Sequence, residues 1–67
     1  MNTRLLDSRM VEKGISNDKL AQELGINQAT LYRKKSGASD FYRKEIRTIK
    51  RVLNLSDKDI DLIFFGE

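Results

Sequence analysis

The sequence predicts an all-α chain, a compact arrangement of five short helices. Three observations predict it. No proline interrupts the 67 residues, and Leu, Ile, Lys and Arg are abundant. Apolar residues recur at three- and four-residue spacing in five successive segments. Most of these segments open on Asn or Ser, whose side chains cap a helix start, and close on Gly or Asn, which take a left-handed conformation at its end. The length suits one domain over residues 1–67, near the lower limit for a chain that folds alone. With no cysteine and no histidine, neither a disulfide nor a zinc site can support it, so the apolar core must suffice.

The first helix is expected from about Thr3 to Lys13, capped by Asn2 or Thr3 and ended by Gly14. Leu6 and Met10 share its inner face at i, i+4, and Ile15 packs back over its end. The second starts after Ser16, turns Leu20, Ala21 and Leu24 inward and stops at Gly25. Ile26 fills the core from the turn. Asn27 caps the third helix, about 28–35, which points Leu31 inward and Gln28, Ala29, Tyr32 and Arg33 outward. Ser36-Gly37-Ala38-Ser39 reads as a loop and Phe41 as a core anchor. The fourth helix, from Tyr42 or Arg43 to Leu53, carries Ile46, Ile49 and Leu53 on one face, and Asn54 ends it. Ser56 and Asp59 form the reciprocal cap of a fifth, about Asp57 to Phe65.

The net charge of +3 is distributed unevenly. Residues 28–51 carry eight cations (Arg33, Lys34, Lys35, Arg43, Lys44, Arg47, Lys50, Arg51) against Asp40 and Glu45, whereas the flanking segments are neutral or acidic. Such a block is the footprint of a polyanion partner. Arg33, Lys34 and Lys35 also meet the negative end of the third helix's dipole, which any helix would favour. Arg43 and Lys44 lack that explanation. They stand in the first turn of the fourth helix, where the dipole disfavours cations, and a phosphate docked there would relieve the conflict. Arg47, Lys50 and Arg51 read as the solvated face of the same helix.

Residues Ser16 to Gly37 resemble the helix-turn-helix of the lambda-repressor-like family, which includes phage repressors, Cro-type proteins and small bacterial regulators. The likeness extends through the Gly-Ala-Ser-Asp-Phe connection and the Glu-Ile-x-x-Ile-x-x-x-Leu-Asn-Leu fourth helix. Ala21, Gly25, Ile26 and Leu31 match the family's small, turn, plug and buried positions. Asn17 replaces the usual Gln at the start of the motif, and Lys34 and Lys35 stand where an apolar residue is usual. One of these lysines is expected to lay its stem over the core and lift its ammonium out.

The resemblance implies a lambda-repressor-like, sequence-specific DNA-binding domain whose third helix enters the major groove. Gln28, Ala29 and Arg33 match its base-reading positions. The Gln28 amide suits the N7 and N6 edge of adenine, and Ala29 suits a thymine methyl. Arg33 lies about 140° from Gln28 around the helix, so it flanks the groove and reaches guanine or phosphate. Asn17, Thr30, Tyr32, Lys34, Lys35, Ser39, Arg43 and Lys44 are the expected phosphate contacts. About five cationic phosphate contacts would give a log–log salt slope near −4 to −5.

Helix five carries a second apolar stripe, Leu62 and Phe65, opposite Ile60, Ile63 and Phe64. It is expected to pair two subunits on a twofold-symmetric operator, or else to fold back on the first helix. Asp57-Lys58-Asp59-Ile60-Asp61 imitates the start of a calcium loop, but Leu62 stands where that loop needs glycine, so no metal is expected. No cofactor, small-molecule ligand or catalytic residue is expected either. No run approaches the roughly 20 apolar residues of a membrane span, and no secretion signal opens the chain. A cytoplasmic regulator of bacterial or prophage origin follows, acting by operator occupancy. The alternative is an antitoxin-type or protein-interaction module working through a partner protein.

Overall fold

The computed structural model describes residues Met1–Gly66. It contains five helices in chain order: α1 (Thr3–Lys13), α2 (Asn17–Leu24), α3 (Gln28–Ser36), α4 (Arg43–Leu53) and α5 (Asp57–Phe64). Each expected helix is present, with ends displaced by a residue at most where α3 runs on to Ser36 and α5 stops at Phe64. The caps explain the boundaries. The side chains of Asn2, Ser16, Asn27 and Ser56 each accept from a backbone N–H three residues on. Gly25 ends α2 at φ 72°, and its N–H and that of Ile26 close onto the Gln22 and Ala21 carbonyls. That left-handed residue lets α3 leave α2 at an angle without steric cost.

α2 packs against both α3 and α4, while α1 packs on α4 and α5. Leu6, Met10, Leu20, Ala21, Leu31, Ile49, Leu53, Leu55 and Ile63 form the shared core. Six of them are fully buried, each contributing about 1.5–3 kcal/mol of transfer free energy. Phe41 packs edge-on against Phe64, with ring centroids 5.5 Å apart, and so ties the α3–α4 loop to α5. The Asn2 N–H donates to the Ile63 carbonyl, which anchors the N-terminus on the same helix. The scaffold is thereby closed, and α3 packs on it through α2, with side-chain bonds from its last turn to α1 and α4.

Asp59 joins two ends of this scaffold. It completes the Ser56 cap of α5, accepting from the Ser56 N–H, and it pairs with Arg9 of α1 at 3.2 Å. Partial burial disfavours its charged form, but the Ser56 hydrogen bonds and the Arg9 guanidinium outweigh this and hold its carboxyl below the usual range. A depressed folded-state pKa stabilises above the unfolded value of 3.8, and the stabilisation is lost as pH falls through the folded value. Asp59→Asn is therefore expected to flatten the acid limb of the stability–pH curve below about pH 4. Urea titrations of both proteins from pH 7 to pH 2 would show it, and parallel curves would mean that Asp59 is not the responsible group.

Candidate nucleic-acid interface

The exposed surface of α3 follows from where Leu31 sits. Leu31 is 1% exposed and anchors the inner side of the helix. At about 100° per residue, Lys35 falls about 40° to one side of Leu31 and Lys34 about 60° to the other. Gln28, Tyr32, Ser36, Ala29 and Arg33 fan out over the remaining face, and all five are exposed. Thr30 lies half-buried at the margin, with its backbone N–H taken by Asn27 at 2.7 Å.

The two lysines part company with the expectation. Lys34, an expected phosphate contact, is buried, 5% exposed. Its ammonium bonds Glu45 Oε1 and the Asp40 carbonyl, each at 3.0 Å, and lies 4.1 Å from the centroid of the Tyr42 ring. The reason is geometric, since a residue 60° from the core anchor has its stem against the core and its head beside the start of α4. Neither lysine lifts its ammonium freely out. Lys35, whose side chain is 11% exposed, bonds Asp7 of α1 and Asn17 of α2, the latter at 2.7 Å. Asn17, an expected phosphate contact, thus offers its Nδ2 outward while its Oδ1 is occupied.

Glu45 is the residue that the sequence reading passed over. It is 5% exposed in the first turn of α4, accepts from the Tyr42 N–H at 2.7 Å and neutralises Lys34. It also supplies a negative charge to the positive end of α4, beside Arg43 and Lys44. The available signal was its position at the third helical residue, where a glutamate satisfies an unpaired N–H at the helix start.

These pairings sort the cationic block. Lys34, Lys35, Lys50 and Arg51 each meet a carboxylate. Among the described residues, no carboxylate lies within 4 Å of Arg33, Arg43, Lys44 or Arg47. All four are exposed. On α4, Arg43, Lys44 and Arg47 fall within about 100° of arc, opposite Ile49 and Leu53. The loop returns α4 to the end of α3, because the Ala38 and Ser39 N–H groups both donate to the Arg33 carbonyl. Ser39 stands exposed in that loop. A cleft of about 560 Å³ opens on the other flank of α3, lined by Thr3, Asp7, Asn17, Gln28, Leu31, Tyr32, Lys35 and Ser36.

The surface between the α3–α4 loop and α5 has a different character. A smaller groove of about 440 Å³ runs between the α3–α4 loop and α5, past Met1, Phe41, Ile46, Phe64 and Phe65. Phe65 is 61% exposed and Leu62 half-buried. No cluster of metal-ligating side chains occurs among the described residues, and no helix of the model is long and apolar enough to cross a membrane.

Two capped helices hinged at Gly25, with the second projecting a polar face from an all-α scaffold, define a helix-turn-helix domain. The model of the Cro/C1-type helix-turn-helix DNA-binding domain matches residues 5–60. The chain belongs to that family, as the sequence resemblance implied, and DNA binding by a regulator is supported. No curated protein and no solved structure matches it significantly.

Proposed function

We propose that this protein is a sequence-specific regulator that binds double-stranded DNA with α3 in the major groove and acts by occupying its operator. One observation carries the reading: in a family of DNA-binding domains, Arg33 on the exposed face of α3 and Arg43, Lys44 and Arg47 on the helix that follows are exposed and, among the described residues, have no carboxylate within 4 Å. Gln28 and Ala29 read bases from the first turn, and Arg33 reads a base or holds phosphate from the next. Arg43, Lys44 and Arg47 hold phosphates beside it, with Asn17, Thr30, Tyr32 and Ser39 adding neutral contacts. Lys35 acts at one remove, by fixing Asn17. Gln28→Ala is expected to cost about 1–3 kcal/mol on an operator obtained by selection from random duplexes, while sparing random DNA. Fluorescence anisotropy on both duplexes tests this, and equal weakening on both would refute base reading.

Two copies are proposed to bind half-sites about one helical turn apart. The exposed Phe65, with Leu62 beside it on α5, supports a contact between copies, since α5 leaves that aromatic side chain without cover. Phe65→Ala is expected to leave the single half-site affinity unchanged and to weaken cooperative occupancy of the paired site about tenfold. Sedimentation of the DNA complexes distinguishes one bound copy from two. Only single copies on the wild-type complex would exclude pairing and favour the alternative, a regulator working through a partner protein.

A further inference from the structure

The Gln28 side chain is not free to present either end of its amide. Its Nε2 donates to Asp18 Oδ1, 3.1 Å away on the first turn of α2. A carboxylate at neutral pH accepts hydrogen bonds and donates none. Turning the amide over would set the Gln28 Oε1 against the carboxylate, with two acceptors facing each other and no proton between them. The orientation therefore follows from the chemistry of the neighbour.

We propose that Asp18 is a specificity-determining positioning residue, which fixes the outward end of the Gln28 amide and so excludes guanine from the base pair that Gln28 reads. This rests on the reading of Gln28 as a base contact. With one Nε2 proton held by Asp18, the amide presents the other Nε2 proton and the Oε1 acceptor. Adenine offers N7 as acceptor and N6–H as donor, the matching pattern. Guanine offers N7 and O6, two acceptors, one of which would meet Oε1. Thymine O4 can accept the free Nε2 proton but leaves Oε1 without a donor, a single bond where adenine makes two. The carboxylate also lies at the protein–DNA boundary, where it repels phosphate, so its presence costs general affinity. A residue serving only the dipole of α2 would stabilise that helix but leave the base preference untouched.

The experiment measures dissociation constants for wild type, Asp18→Asn, Asp18→Glu and Gln28→Ala on a selected operator and on its variants at each base pair. Gln28→Ala locates the pair, as the one where its preference collapses. There, wild type is expected to favour adenine over guanine by tenfold or more. Asp18→Asn, whose amide donates as readily as it accepts, frees Gln28 to turn over. It is expected to bring that ratio down about tenfold while raising affinity for random duplex. Asp18→Glu keeps the acceptor-only partner and is expected to retain the ratio. Thermal melts confirm that each variant is folded. An unchanged ratio in Asp18→Asn, or wild-type preference for guanine at that pair, overturns the proposal and leaves base reading intact. No change in preference at any pair for Gln28→Ala overturns both.

Discussion

Glu45→Ala is expected to destabilise the protein by about 3–5 kcal/mol, the cost of stranding one charge of a buried pair. The Glu45 and Lys34 side chains are 6% and 5% exposed, with 3.0 Å between the charged atoms. Truncation would leave the ammonium with the Asp40 carbonyl and the Tyr42 ring, but with no counter-charge and little water. It would also free the Tyr42 N–H, which Glu45 alone engages at the start of α4. A domain of this size has only about 5 kcal/mol or somewhat more to lose, so the variant is expected to be largely unfolded at 37 °C. Urea unfolding with circular dichroism measures the loss. The double variant Lys34→Met, Glu45→Gln removes both charges and keeps an acceptor for Tyr42, and it is expected to recover most of it. A loss under about 1 kcal/mol for Glu45→Ala would show the pair to be solvated.

The second large effect is on binding. Four cations per copy that have no carboxylate partner among the described residues, on two copies, are expected to give about eight phosphate contacts and a log–log salt slope of about −7. Affinity for a paired operator is then expected to fall about 10⁴-fold between 50 and 200 mM salt. The same slope halves on a single half-site. Replacing Arg33, Arg43, Lys44 or Arg47 with Ala is expected to reduce the slope by about 1 per copy. The double variant Lys34→Met, Glu45→Gln, which strands neither charge, is expected to leave it unchanged, because a charge already neutralised inside the fold displaces no counterion from DNA. The charge count alone predicts the opposite for Lys34, so this variant separates the two accounts. A shallower slope with the double variant would mean that the Lys34 ammonium leaves Glu45 in the wild-type complex.

Stabilisation and recognition are therefore separable among residues of one charge type. Lys34 and Lys35 hold the end of α3 to α4, α1 and α2, and Arg33 just before them faces out. The division is a consequence of helical pitch. Three consecutive side chains span about 200° of arc, so they cannot all face a duplex while Leu31 faces the core.

The helices themselves were legible before any coordinates. Gly14, Gly25, Ser16, Asn27, Asn54 and Ser56 mark their limits by local conformation and by hydrogen bonds within four residues, both properties of the chain's immediate neighbourhood. Leu6, Met10, Leu20, Leu31, Ile49, Leu53 and Ile63 were placed in the core by spacing alone, since a 3.6-residue period leaves few ways to bury them. The outward set on α3 followed from the same arithmetic. Lys34 and Lys35 were both expected at phosphate, and only the family's usual apolar residue there pointed to one stem lying over the core. Their partners Glu45, Asp7 and Asn17 lie 11 to 28 residues away, and only the packing of α1, α2 and α4 around α3 brings them within hydrogen-bond reach. The Asp18–Gln28 contact is of the same kind, set by the angle at which Gly25 lets α3 leave α2. Periodicity and capping, being local, determined which faces are apolar and where each helix stops. Charge pairing acts across space, so the tertiary structure decided which cations remain free for a partner.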